Sequence, residues 1–191
     1  WGEQHPLYFQ KQQQLERWSE SILRLAQQHA YDGNLDESVD LAQRIPNSSA
    51  QYDQAQSFIQ AWQSEWQRGE DVYAAAQEAL QQNDWDTAQA QVKQLTQFSH
   101  PYWRSQKSAA LAQQISVEQR AYEISTQAQD LAKEGSTQGI QDAIIKARTL
   151  DQNTYSWDAL QPKFKIWNQI LLQRGLELWY DGQLDQAISL G

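Results

Sequence analysis

Between Tyr52 and Leu80 the apolar and small residues Tyr52, Ala55, Ile59, Trp62, Trp66, Gly69, Tyr73, Ala76 and Leu80 follow one another in steps of three and four. That spacing lays a single stripe along one face of an α-helix. No proline interrupts it, and Gly69 lies on the stripe, where a missing side chain allows a neighbouring helix to come close. A helix of about thirty residues is about 45 Å long. Two shorter periodic segments, Leu35 to Ile45 before it and Trp85 to Leu95 after it, are placed to fold back on its two halves.

The same grammar runs through the rest of the chain. A lead-in, Trp1 to Tyr8, precedes a helix expected from about Gln10, with Leu15, Trp18, Ile22 and Leu25 on its inner face. It ends at Tyr31-Asp32-Gly33, where Gly33 suits a left-handed C-terminus. Asn34 is positioned to cap the next helix with Glu37 closing a capping box, and Leu35, Val39, Ala42 and Ile45 point inward until Pro46. After the central helix Asn83 or Asp84 caps a short helix carrying Trp85, Ala88, Val92 and Leu95. Ser99, as cap, and Pro101 open a third long helix with Trp103, Ala110, Leu111, Ile115, Tyr122 and Leu131. Ser136 or Thr137 starts a short helix with Ile140, Ala143, Ile144, Ala147 and Leu150 inside. A fourth long helix carries Trp157, Leu160, Phe164, Trp167, Leu171 and Leu178, with a late start or a kink expected at Pro162.

The first inward residues of the short helices, Leu35, Trp85, Ile140 and Leu184, recur about every fifty residues. Alternation of long and short antiparallel helices at that period predicts an all-α chain arranged as an α-solenoid. It forms one helical repeat domain over 1–191, with repeats near 10–49, 50–99, 100–153 and 154–191. The last of these is incomplete. With no methionine and a final repeat that stops early, the chain reads as a piece of a longer protein.

Composition narrows the functional classes. Glutamine fills 35 of the 191 positions and interleaves with the apolar stripes, as expected for uncharged solvated helix faces. A formal charge of −9 disfavours a nucleic-acid or anionic-lipid surface, which needs clustered Lys and Arg. The most basic local patch, Lys163, Lys165 and Arg174 beside Phe164 and Trp167, reads as a solvated face. Apolar runs are only a few residues long, so no segment inserts into a membrane, although an anchor elsewhere in a longer protein is compatible with that. The chain has no cysteine, which removes disulfides and thiolate chemistry and leaves the compartment open.

Catalytic and ligand motifs are weak. His5, His29 and His100 lack the close helical spacing of a metal motif, so neither metal nor cofactor is expected. The carboxylates of Asp32, Asp36, Glu37, Asp84, Asp86, Asp181 and Asp185 cluster at turns and helix starts, where the helix dipole favours them. Gly135-Ser136-Thr137-Gln138-Gly139 lacks the lysine and the strand of a phosphate loop. The reading is non-enzymatic.

The nine tryptophans carry the remaining signal. Trp18, Trp62, Trp66, Trp85, Trp157 and Trp167 fall on inward stripes and are assigned to the core. Tyr102-Trp103 and Trp179-Tyr180 are adjacent pairs, and neighbours on a helix cannot both face inward. One aromatic of each pair is therefore a candidate protein contact.

The hairpin turns resemble those of tetratricopeptide-type repeats. The likeness rests on Ala26-x-x-x-Ala30-Tyr31-Asp32-Gly33-Asn34-Leu35-Asp36-Glu37-Ser38, on Ala79-Leu80-x-x-Asn83-Asp84-Trp85-Asp86-Thr87-Ala88, and on Leu178-Trp179-Tyr180-Asp181-Gly182-Gln183-Leu184-Asp185-Gln186-Ala187. It implies helical hairpins and a protein-binding scaffold. The family's period is shorter and its helices more equal in length, so its peptide-binding residues do not transfer. The richness in Gln and Trp is also similar to repeat regions of cyanobacterial membrane-anchored proteins of unassigned role. The expected function is a protein-protein interaction scaffold, whose partner is another protein or a second copy. A structural spacer or self-assembling rod, and a small-molecule-binding helical domain, are the alternatives.

Overall fold

In a computed structural model, residues 6–190 are described. Among them the regular structure is all-α, with eight α-helices and one π-helical turn. The helices are α1 (Pro6–Tyr31), α2 (Leu35–Gln43), α3 (Tyr52–Gln81), α4 (Trp85–Leu95), α5 (Ser108–Ala132), α6 (Thr137–Ala147), α7 (Tyr155–Tyr180) and α8 (Leu184–Ile188), and the π-helical turn Tyr102–Lys107 leads into α5. Long and short helices alternate. The described residues of Trp1–Ala76 and Ala90–Leu111 make one compact unit, and those of Gln77–Gln89 and Ala112–Gly191 a second.

The α3 stripe is placed as its period predicts. Ala55, Ile59, Ala76 and Leu80 are buried, Gly69 is buried with them, and Tyr52, Trp62, Trp66 and Tyr73 are half-buried. The core of the first unit joins Leu23 and Ala26 of α1, Ala42 and Ile45 at α2, and Ala55 and Ile59 of α3. In the second unit Ala121 and Ala128 of α5, Ile140, Ala143, Ile144 and Ala147 of α6, and Leu160, Trp167 and Leu171 of α7 form another core.

Every long-to-short turn uses the left-handed backbone. Gly33 (φ 91°), Asn83 (φ 57°), Gly135 (φ 69°) and Gly182 (φ 76°) occupy it, a conformation that glycine adopts freely and asparagine tolerates. They stand 50, 52 and 47 residues apart. Seven residues before each turn residue comes Ala26, Ala76, Ala128 or Gly175, of which the three alanines are fully buried. Small residues at that point let the paired helices approach closely.

Several expectations are corrected. Helix α1 begins by Pro6 rather than near Gln10, so it takes in the last three residues of the lead-in expected over Trp1 to Tyr8, and residues 1–5 lie outside the described residues. Its inner face is Ser19, Leu23, Ala26 and Ala30. Trp18, assigned to the core, is 61 % exposed, because the tight contact selects the small neighbour Ser19. Leu25 is likewise exposed. Asn34 makes no side-chain capping bond: its backbone (φ −97°, ψ 74°) is not the extended conformation from which a cap side chain reaches N–H groups. Glu37 instead lies 3.5 Å from His29 Nδ1. Asp84, Ser136 and Thr154 do cap, accepting from the backbone N–H of Thr87, Gly139 and Trp157. Ser99 does not cap the third long segment, which opens at Pro101. Helix α7 starts at Tyr155 and runs through Pro162 without a late start.

Candidate functional site

The first aromatic pair is built into the interior of its unit. Trp103, proposed as a surface contact, is 3 % exposed, and Tyr102 is half-buried. Trp66 stacks on Tyr102 with ring centroids 4.8 Å apart and meets Trp103 edge-on at 5.2 Å. Two glycines make the room. A Cβ on Gly69 would overlap the indole of Trp103, and one on Gly33 would overlap the ring of Tyr102. The expectation that adjacent aromatics must face apart fails here because residues 102–107 form the wider π-helical turn. Lys107 Nζ, 5.1 Å from the Tyr73 ring centre and 5.5 Å from that of Tyr102, closes the cluster with a cation on aromatic faces.

Of the other tryptophans assigned to the core, Trp167 is buried, while Trp62, Trp66, Trp85 and Trp157 are half-buried. Trp62 stacks on Phe58 at 5.6 Å. Trp85 contacts Tyr122 at 5.9 Å, and Trp157 contacts Phe164 at 5.7 Å.

The second aromatic pair is different. Trp179 is 55 % exposed and Tyr180 80 %, side by side at the end of α7 with ring centroids 5.3 Å apart. Ile145 of α6, Leu172 and Leu176 of α7, and Leu184 and Ile188 of α8 are exposed as well. Between α6, α7 and α8 lies an open groove of about 600 Å³. Ile144 and Leu171, both members of the second core, form part of its wall, and Gln138, Gln141, Arg148 and Asn168 supply polar groups. Gln141 Nε2 donates to the Ser189 carbonyl at 3.0 Å, tying α6 to the end of α8. Arg174 of α7 donates to the Thr137 hydroxyl at 2.9 Å and to the Gly135 carbonyl at 2.7 Å, fixing α7 against the start of α6. The guanidinium expected in a solvated basic patch is thus a structural tie.

Three glutamates missed in the sequence reading share one task. Glu16 accepts from the Ser49 hydroxyl at 2.8 Å and from the Ala50 N–H, just before α3. Glu65 accepts from the His100 N–H at 2.9 Å, just before the π-helical turn. Glu118 accepts from the Tyr155 N–H at 3.1 Å, at the start of α7. Each long helix except α7 thus holds the entry to the next with a carboxylate on unpaired N–H groups. Counted back from the turn, Glu16 and Glu118 stand 17 residues before Gly33 and Gly135 and Glu65 stands 18 before Asn83, a near register that comparing the long helices would have exposed. Glu118 is 3 % exposed. Burial raises its pKa, against the lowering effect of the Tyr155 and Ser156 N–H groups, while Asp151 and Asp158 push it further up. Burial likewise lowers the pKa of His100, opposed by Glu65.

Near Glu118 a second polar set is half-buried. Gln77 and Gln114 exchange amide hydrogen bonds at 2.8 and 2.9 Å, and the Tyr155 hydroxyl donates to Gln77 Oε1 at 3.0 Å. These two glutamines are packing residues rather than solvated ones. Among the described residues no three His, Asp or Glu side chains converge on a metal-sized site, and no helix is long and apolar enough to cross a membrane. His5 lies outside the described residues. No family model, curated protein or solved structure matches the chain.

Proposed function

We propose that the chain is a non-enzymatic protein-binding scaffold, an α-solenoid of long and short helices with hairpins similar to tetratricopeptide turns. The observation that carries the reading is the apolar exposure of the last hairpin, where Leu172, which lines the groove, is 65 % exposed and Trp179 and Ile188 are 55 and 77 % exposed. Aromatic and aliphatic exposure of this kind favours protein association. The regular spacing of the four left-handed turn residues supports the solenoid. The carboxylates of Glu16, Glu65 and Glu118, each placed on the entry to the following long helix, support it as well.

The test is affinity capture from the source cells with the wild-type chain and a Trp179→Ala, Tyr180→Ala variant as baits. Both residues are exposed, so the variant folds. A polypeptide held by the wild type and lost by the variant is the expected result. Equal capture by both baits, or none by either, overturns the assignment of this surface.

A further inference from the structure

The segment that opens at Pro101 begins with an imidazole cap. The His100 carbonyl accepts the Arg104 N–H at 3.0 Å, which starts the helical ladder, and Pro101 follows where a missing N–H costs nothing. The Tyr102 N–H, one of the groups that a helix start leaves without a partner, donates to His100 Nδ1 at 3.3 Å. At α4, α6 and α7 the same work is done by oxygen, from Asp84, Ser136 and Thr154. A ring nitrogen differs in one respect: it accepts only while it carries no proton. A proton on Nδ1 sets donor against donor at Tyr102 and places a positive charge at the positive end of the peptide dipoles.

His100 is half-buried, and its ring stands edge-on to Trp66 with centroids 6.0 Å apart. Among the described residues Glu65, on α3, is the charged group that acts on the ring, and its Oε1 already accepts the His100 backbone N–H at 2.9 Å. From α1 the facing group is the uncharged Ala30 carbonyl. On the same segment as His100, the Arg104 guanidinium is tied to the Ser99 carbonyl at 3.5 Å. Burial holds the imidazole below the ordinary histidine value, against the opposite pull of Glu65 and the Ala30 carbonyl. The cap also holds a large load. Tyr102 fills the space where a Cβ on Gly33 would stand and stacks on Trp66 at 4.8 Å, and Trp103 fills the corresponding space at Gly69. Loosening this start therefore loosens its contacts with the α1–α2 turn and with α3.

We propose that His100 is an acid-sensitive latch: its neutral ring seats the entry of the third long segment on Gly33 and Trp66, and a proton on Nδ1 releases that entry. The inference goes beyond the scaffold reading and stands without it. The released entry takes up its proton at the ordinary histidine value of about 6.5, and the seated one only below it. Opening therefore gains up to about tenfold for each pH unit below that value, until the seated ring titrates as well.

The experiment is hydrogen–deuterium exchange on the whole chain, read by NMR at about pH 7.5 and about pH 5.5 and corrected for intrinsic exchange rates, for wild type and His100→Asn. Asparagine caps with an oxygen and does not titrate. Protection of the amides from Tyr102 to Lys107 is expected to fall about three- to tenfold on acidification in wild type, and to stay within about twofold in His100→Asn. Titration of the His100 ring in wild type gives a second reading that needs no variant. Its midpoint is expected below about 6.5, with the Tyr102 amide shift following the same curve. Wild-type protection that does not change with pH overturns the latch, as does a His100→Asn chain that loses as much protection as wild type. A His100 midpoint at or above about 6.5 overturns it too, because the seated ring would then hold its proton at least as well as the released one.

Discussion

Gly69 and Trp103 are fitted to one another: the indole of Trp103 lies where a side chain on residue 69 would begin. The relationship reverses an ordinary expectation about helices. In the middle of a thirty-residue helix, alanine should be better than glycine by about 1 kcal/mol. Here the added methyl must displace a 3 % exposed tryptophan held by Trp66, Tyr102 and Phe98. Overpacking of that kind costs about 1 to 3 kcal/mol. Gly69→Ala is therefore expected to lower stability, by up to about 2 kcal/mol in urea denaturation, despite its better helix propensity. A more stable variant would show that the indole moves aside freely.

Three tryptophans grade the cores by burial. Trp167, buried in the second core, is expected to cost about 3 to 5 kcal/mol when changed to alanine. Trp62, half-buried and stacked on Phe58, is expected to cost about 1 to 2 kcal/mol, below the value for a fully buried site. Trp18→Ala should stay within about 0.5 kcal/mol of wild type, since the side chain is 61 % exposed. Equilibrium denaturation of the three variants checks the order, and a large effect at Trp18 would contradict the placement of α1.

That order also shows where the sequence was readable. The α3 stripe and the turns at Gly33, Asn83 and Gly182 are local patterns, and local spacing and backbone preference suffice to find them. Trp18 was misplaced because hydrophobicity ranks Trp above Ser, whereas a close helix contact selects the smaller side chain, Ser19. Trp103 was misplaced for a non-local reason, since Gly33 and Gly69 lie far from it in the chain and the π-helical turn changes the facing rule. Glu16, Glu65 and Glu118 act on backbone more than thirty residues away, beyond the reach of any capping motif. The exposure of Trp179 and Tyr180 was legible only as a choice between neighbours, and both turn out to be exposed.

Glu118 makes the account sensitive to pH. Its folded pKa is raised chiefly by burial, so folding opposes its ionisation. Relief is complete below the unfolded glutamate pKa of about 4.3 and is lost as pH rises through the higher folded value. Glu118→Gln keeps an acceptor oxygen for the Tyr155 N–H and removes the charge. The stability of wild type relative to Glu118→Gln is expected to improve as pH falls from neutral toward 4, read from paired denaturation curves. A difference that instead grows worse for wild type on acidification would mean that the charged bond to the α7 entry outweighs burial.

On the proposed reading, the end of α7 is a surface on which another polypeptide sits. A photo-reactive phenylalanine analogue placed at Trp179 in the source cells tests it most directly, with the same group at Gln82, an exposed turn residue, as the control. The account predicts a discrete cross-linked species from position 179, either a multiple of this chain or this chain joined to one other protein, and none from position 82. Cross-linking at 179 no greater than at 82 would contradict it.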